Sequence, residues 1–193
     1  MSPILGIWAS SSAASRADTG AMFPLQVITV GPAGASSVSF TNIPGTYSHL
    51  QIRGIAKNGT SSGNETTLLV QFNSDSTYTN YFGRHLLYGD GSTAAAAANN
   101  TSSWVGATAG AIAQQSTANT YSAFVTDILD YSNGNKNKTV RTLTGADYNG
   151  SGTIVLASGL WINTAAVTSI TLVPFSNTFG QYSQFALYAV KGA

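Results

Sequence analysis

The sequence contains no cysteine and very few charged side chains. Only 8 % of its 193 residues are Asp, Glu, Lys or Arg, whereas these residues make up about a quarter of an average domain. Without cysteine, a disulfide framework and a thiolate metal site are both excluded. The formal net charge of +1 provides no electrostatic attraction to nucleic acid or to an anionic membrane. We therefore expect no nucleic-acid partner.

Long apolar runs are also missing. No segment approaches the roughly 18 consecutive apolar residues that a membrane-spanning helix needs. The first eight residues, Met1 to Trp8, lack the basic region and apolar core of a secretion signal. We expect no membrane insertion, and a protein that is soluble or part of a larger particle. Because low net charge protects a monomer poorly against self-association, we also expect neighbouring subunits to cover much of the surface.

What the chain does contain is a series of short strand patterns. Apolar residues make up 43 % of the sequence, and Asn-Gly, Asp-Gly and Gly-Pro pairs, which favour tight turns, separate the patterns. The predicted strands lie near residues 25–30, 36–40, 49–55, 67–72, 81–88, 121–129, 139–145, 153–161, 169–173 and 184–190. This spacing predicts an all-β fold, a jelly-roll-like antiparallel β-sandwich over residues 24–193 with an extended N-terminal arm.

The N-terminal arm, residues 1–23, carries an unusual apolar cluster formed by Ile4, Leu5, Ile7 and Trp8. A Ser- and Ala-rich stretch without strand or helix periodicity follows it. Either the cluster packs back onto its own domain, or it anchors the chain in a partner subunit with the Ser/Ala stretch as its tether. We favour the anchoring arm.

The segment from Gly89 to Asn119 differs from the rest of the chain. It contains five consecutive alanines, Ala94–Ala98, and then Trp104. The alanines could form one or two helical turns, which would be too short to be stable alone. We predict a long loop that crosses the end of the sandwich, a place where contacts are often made.

The many tyrosines and tryptophans allow two interpretations. Rings in Asn- and Ser-rich loops could form a sugar-binding platform. The same composition suits a packed core and hydrated subunit interfaces, which we favour. Trp104 in the Ala-rich segment remains the candidate glycan contact.

The last predicted strand, residues 184–190, has two apolar faces. Phe185 and Leu187 alternate with Tyr188 and Val190. A strand that lies at the surface normally presents polar side chains on its second face. We therefore predict that Tyr188 and Val190 belong to a subunit interface.

The ionisable residues do not form a recognisable catalytic pattern. No serine has a nucleophile-elbow sequence around it, and we expect His49 and His85 to form surface or intersubunit hydrogen bonds. Asp127 and Asp130 are three residues apart, so on a strand they would face opposite sides, unlike the carboxylate pair of a glycosidase. We expect no catalytic residue.

Asp127 falls within an otherwise apolar strand pattern. A buried carboxylate without a partner is costly, so we expect Asp127 to pair with Arg141 or Arg53. No acidic segment has the spacing of a calcium loop, and no glycine loop has that of a phosphate site. We expect neither a metal nor another cofactor.

Four segments carry a more specific combination of residues. They are Phe40-Thr41-Asn42-Ile43-Pro44-Gly45-Thr46-Tyr47-Ser48-His49-Leu50-Gln51-Ile52-Arg53, Ile128-Leu129-Asp130-Tyr131, Gly159-Leu160-Trp161 and Phe185-Ala186-Leu187-Tyr188. Together they resemble a family of small virion proteins of tailed bacteriophages, often described as minor structural proteins. The resemblance covers nearly the whole chain, including Ile4-Leu5-Gly6-Ile7, and departs in the Ala-rich segment.

The resemblance implies a non-enzymatic virion protein assembled in the cytoplasm of the host bacterium. We expect a capsid decoration (cement) protein that stabilises the shell and binds other virion proteins, such as the major capsid protein, through its arm. The architecture suggests a homo-oligomer, with a trimer as the expected state. The alternative is a tail-associated fibre or receptor-binding module that binds a host surface glycan. The absence of a coiled coil, β-helix or long spacer in the sequence favours the capsid.

Overall fold

The computed structural model describes residues 21–59, 65–99, 106–113, 120–148 and 151–192. Within these ranges the regular structure is β-strand, apart from a short 3₁₀ helix at Tyr78–Asn80. The strands are β1 (Met22–Thr29), β2 (Val38–Phe40), β3 (His49–Ala56), β4 (Glu65–Phe72), β5 (Tyr81–Gly89), β6 (Ala94–Asn99), β7 (Ala107–Ala113), β8 (Ser122–Leu129), β9 (Lys138–Asp147), β10 (Gly152–Trp161), β11 (Ile170–Pro174) and β12 (Gln184–Val190). No helix in the described ranges is long and apolar enough to cross a membrane.

The strands form two antiparallel sheets that pack as a sandwich. The larger sheet has eight strands in the order β1-β12-β3-β8-β9-β10-β5-β6, and the smaller has four in the order β2-β11-β4-β7. From β1 to β5 the chain changes sheet at every step. Such repeated crossing is typical of Greek-key and jelly-roll sandwiches. The predicted all-β antiparallel sandwich is confirmed.

The core lies between the two sheets, and period-two alternation determines which side chains enter it. In β8 every second residue from Ser122 to Ile128 is buried, and in β9 every second residue from Lys138 to Thr144 is buried. In β12 Phe185 and Leu187 are fully buried, as their alternation predicts. The Phe185 ring contacts Phe179 edge-on at a centroid distance of 4.9 Å. Aromatic rings at this distance and angle pack favourably.

One glycine makes this aromatic packing possible. Gly54 in β3 pairs with Phe185 on one side and with Phe124 on the other. A Cβ atom at Gly54 would lie 2.5 Å from Cζ of Phe124, closer than any real Cβ contact. The Phe124 ring therefore occupies the space above the β3 backbone that a side chain would need.

The predicted loop from Gly89 to Asn119 is wrong in its described parts, which contain β6 and β7. The alanines form a strand because a tight turn brings them beside β5. In this turn Asp90 Oδ1 accepts hydrogen bonds from the backbone N–H groups of Ser92 and Thr93, and Gly91 has a φ of +88°. Backbone pairing with β5 thus overrides the weak helix propensity of a short alanine run.

Candidate functional site

The most distinctive surface is the side of the eight-stranded sheet that points away from the smaller sheet, which we call the outer face. Large apolar side chains stay exposed on it, in contrast to the polar solvent face of a typical antiparallel sheet. They include Val27 (68 %), Leu87 (57 %), Ile154 (55 %), Leu143 (49 %), Ile55 (45 %), Leu129 (41 %), Leu156 (40 %) and Val125 (37 %).

Four of these residues form a continuous line across the sheet, which we call the apolar row. Val125 of β8 pairs with Leu143 of β9, and Leu143 pairs with Leu156 of β10. Leu156 in turn pairs with Leu87 of β5. Directly opposed residues on neighbouring strands have Cβ atoms about 5 Å apart, so the four side chains form one apolar strip on the outer face.

A second line, the polar row, runs parallel to the first through Gln51, Asp127 and Arg141. Gln51 Nε2 donates to Asp127 Oδ1 at 2.8 Å, and Arg141 Nη2 donates to Asp127 Oδ2 at 2.8 Å. Arg53 Nε donates to Gln51 Oε1 at 2.7 Å, and its guanidinium lies 5.7 Å from the centre of the Tyr188 ring. The predicted pairing of Asp127 with Arg141 is confirmed.

The electrostatics of the polar row keep Asp127 ionised. Partial burial by itself would raise the pKa of Asp127. Hydrogen bonds from Arg141 and Gln51, together with the positive charges of Arg141 and Arg53, outweigh burial and hold this pKa below its ordinary value. The row therefore holds one anion between the Arg141 guanidinium and the Gln51 amide, so Asp127 is not a free acid or base.

The predicted interface residues lie on this same face. Tyr188 and Val190 are half-buried outer-face residues of β12, and Tyr188 pairs with Gln51 of the polar row. Their assignment to a subunit interface stays a prediction. Ile4, Leu5, Ile7, Trp8 and Trp104 lie outside the described residues.

The carboxylates considered for catalysis are kept apart and used structurally. Asp130 lies in the turn after β8, where its backbone N–H donates to His49 Nδ1 at 3.0 Å. Its Oδ2 atom accepts from Lys136 Nζ at 2.9 Å. The hydrogen bond from Lys136 lowers the pKa of Asp130 despite an opposing effect of desolvation. His49 acts here as a hydrogen-bond acceptor at the end of a strand, as expected for a surface histidine.

A hydrogen-bonded cluster of Glu65, Tyr148 and Thr153 lies at one end of the sandwich, between β4 and the β9–β10 hairpin. Glu65 Oε2 accepts hydrogen bonds from Thr153 Oγ1 at 3.0 Å and from the Tyr148 hydroxyl at 3.4 Å. Burial, helped by the negative charge of Glu65, raises the pKa of Tyr148 to about 12. The phenol is thus held protonated as a donor, which suits a structural bond.

An open groove of about 470 Å³ lies beside this cluster, between the β5–β6 turn and the β9–β10 hairpin. Asp90, Asp147 and Ile154 contribute to its walls. The Asp90 carboxylate accepts hydrogen bonds from its own turn, and these lower its pKa. Across the described part of the chain, no three His, Asp or Glu residues come together as a metal would require.

No protein-family model, curated protein or solved structure matches the chain. The geometry of the described residues is therefore the basis for a function. Its most extensive feature is the outer face, which combines an apolar strip with fixed charges. A surface of this kind is suited to contact with protein.

The sequence also contains a signal for the rest of the outer face, beyond Tyr188 and Val190, that was not used for prediction. In β10 the exposed Ile154 and Leu156 alternate with the buried Val155 and Ala157. A strand with apolar residues on both faces has both faces to cover. No pattern in the sequence, however, predicts the strand register that places Leu156 beside Leu143 and Leu87.

Proposed function

We propose that this chain is a non-enzymatic structural protein of a bacteriophage virion, a decoration protein that binds the capsid shell and stabilises it. The observation that carries the structural role is the outer face, where aliphatic side chains from strands across the eight-stranded sheet remain exposed. Contiguous exposed apolar surface of this kind marks a protein contact. The phage assignment rests on the four sequence segments that resemble virion proteins.

The state of the ionisable groups supports a role without catalysis. Asp127 is paired with Arg141, and Asp130 with Lys136. Asp75 accepts hydrogen bonds from Trp161 Nε1 and Asn80 Nδ2. General acid–base catalysis needs a group whose pKa lies near the working pH, and these three carboxylates are instead stabilised as anions.

Attachment to the shell is assigned to Ile4, Leu5, Ile7 and Trp8. Burying each of these side chains contributes about 1.5–3 kcal/mol before ordering costs. One arm would bind weakly, but several arms on a homo-oligomer bind together with a high effective concentration. Weak single contacts would then give firm attachment.

The test is binding of purified protein to virions that lack it. Deletion of residues 1–15 should reduce occupancy at least tenfold, and replacement of Ile4, Leu5, Ile7 and Trp8 by serine should do the same. The variant with Ser11 and Ser12 changed to alanine is the control and should bind normally. Full occupancy by the truncated protein would refute attachment through the arm.

The alternative location is the tail, where the protein would bind a host surface glycan. The groove beside Asp90 and Asp147 favours this possibility, since carboxylates are good acceptors for sugar hydroxyls and its volume lies within the usual range for ligand sites. Counting copies per virion separates the two locations: hundreds indicate the capsid, and a few to tens indicate the tail. Loss of glycan binding in a Trp104→Ala variant would favour the tail.

A further inference from the structure

The outer face carries matched residue pairs at its own midline. In the sheet order, β8 and β9 are the two central strands, with three further strands on each side of them. Val125 faces Leu143 across this midline, and Asp127 faces Arg141. Each row therefore presents a matched pair at the centre of the sheet.

This arrangement makes the centre of the face complementary to itself. A two-fold axis parallel to the strands and midway between β8 and β9 exchanges the positions of the two strands. A second copy related by this axis would place its Arg141 over Asp127 and its Leu143 over Val125. Farther from the axis, Leu156 would face Arg53 and Leu87 would face Ala186, which continue the level of the apolar row on the other side of the midline. The axis therefore matches the two central pairs, apolar with apolar and anion with cation.

The polar row provides the specific part of such a contact. Asp127 and Arg141 are already hydrogen-bonded within one chain at 2.8 Å. Two copies would form a cluster of two anions and two cations in alternation. Charge-assisted hydrogen bonds of this kind are strong when water is excluded, and they fix orientation and register more than affinity.

The size of the face agrees with a stable dimer. With strands about 4.8 Å apart and about 3.3 Å per residue, eight strands of about eight residues cover on the order of 900 Å². A standard stable interface buries about 800 Å² on each partner. The low charge of the chain, +1 overall, adds little repulsion between copies.

We propose that the outer face binds the outer face of a second copy of this chain through a two-fold axis between β8 and β9. The proposal deepens the proposed function, because it rests on the outer face being a protein contact and names its partner. It implies a two-fold contact in place of the trimer expected from the architecture. It concerns the isolated protein and does not depend on attachment to a particle.

The first measurement is the mass of the full-length protein in solution by light scattering. The wild-type chain should have twice the monomer mass of 19.9 kDa. Leu143→Glu should raise the dimer dissociation constant about 100-fold or more, because it would bury an unpaired charge at the centre of the interface. Ile162→Glu is the matched control, since Ile162 is similarly exposed (44 % against 49 %) but follows β10 outside both rows; it should remain dimeric.

The second measurement tests the axis itself by mixing two charge variants. The D127R chain has arginine at both positions 127 and 141, and the R141D chain has aspartate at both. Each variant alone should be monomeric, because like charges would oppose each other across the axis. An equimolar mixture should form a heterodimer, since every facing pair is then of opposite charge although neither chain regains its internal pair.

The outcomes separate this proposal from its rivals. A monomeric or trimeric wild-type protein would overturn it, as would a mixture of D127R and R141D that stays monomeric. A wild-type monomer that dimerises after deletion of residues 1–15 would identify the N-terminal segment as the occupant of the face instead. A dimer that fails to bind virions would leave this proposal intact and contradict only the function in the virion.

Discussion

At the scale of single residues, Lys138 shows how a buried charge can be satisfied without a carboxylate in contact. Its side chain is fully buried at the start of β9. Nζ donates to the carbonyl oxygens of Asn133 at 2.6 Å, Lys136 at 2.5 Å and Thr164 at 3.1 Å. Burial lowers the pKa of Lys138, and the negative charge of Asp130 partly opposes this effect. The three donors of an ammonium group thus hold three loop carbonyls together.

Replacement of Lys138 by methionine should destabilise the fold by about 2–4 kcal/mol, because it leaves loop carbonyls without their donor. Urea denaturation measures this loss. Lys136→Met is the control: its side chain is 60 % exposed, and exposed ion pairs contribute at most about 1 kcal/mol. Equal stability of the two variants would contradict a structural role for the Lys138 ammonium.

Asp75 is a carboxylate that, like the Lys138 ammonium, is held by several hydrogen bonds from the fold. Partial burial would raise its pKa, but hydrogen bonds from Trp161, Asn80 and Thr77 hold the pKa below its ordinary value of 3.8. The unfolded chain therefore binds this proton more readily than the folded chain. The contribution of Asp75 to stability is complete above about pH 5 and is lost as the pH falls through 3.8 and below.

The pH prediction is tested with the Asp75→Asn variant. It should be less stable by about 1–3 kcal/mol at neutral pH and should show a smaller fall in urea midpoint between pH 5 and pH 2.5 than the wild type. An unchanged acid dependence in Asp75→Asn would show that other carboxylates are responsible.

At the scale of secondary-structure elements, alternation and turn residues predicted most strands correctly. The segment 184–190 matches β12 residue for residue. By contrast, β6 and β7 contain mostly small side chains, Ile112 apart, so no clear alternation marks them as strands. Their place depends on partners distant in sequence. Gly110 of β7 has a φ of +85°, and a Cβ atom there would lie 2.3 Å from Cγ2 of Thr144 in β9.

Gly54 allows a prediction about how β3 and β8 fit together. Gly54→Val should destabilise the fold by about 3 kcal/mol, because the added side chain collides with the Phe124 ring and with the backbone oxygen of Gln184. A second change, Phe124→Ala, should recover part of this loss in a double-mutant cycle measured by urea denaturation. Gly45→Ala, where a Cβ meets no atom within 4 Å, should be almost neutral. Strict additivity of the two changes would contradict the proposed collision.

At the scale of the whole molecule, the proposed function gives the sandwich domain and the predicted N-terminal arm different roles. β1 begins at Met22 and pairs with β12, and Phe23 and Leu25 pack against the core. Removal of β1 would expose the edge of β12, and an unprotected edge strand promotes aggregation. The proposed function assigns attachment to the residues before β1.

This division predicts contrasting effects of two truncations. Deletion of residues 1–15 should leave the melting temperature within about 2 °C of the wild type, because a change below about 0.5 kcal/mol shifts a domain of this size by no more than that. Deletion of residues 1–29, which removes β1, should lower it by more than 10 °C and promote aggregation. Thermal melts with light scattering measure both. A large loss in the shorter deletion would show that the arm belongs to the folded domain.

The sequence by itself determined the all-β class, most of the strands, the need of Asp127 for an arginine partner and the absence of disulfide chemistry, because alternation, turn residues and composition are local properties. Only the tertiary structure decided the register that aligns Val125, Leu143, Leu156 and Leu87 in one row, the burial of Lys138, and the strands β6 and β7. These features depend on contacts between segments far apart in the chain. A local pattern does not encode which strand lies beside which, and the outer face exists only through that order.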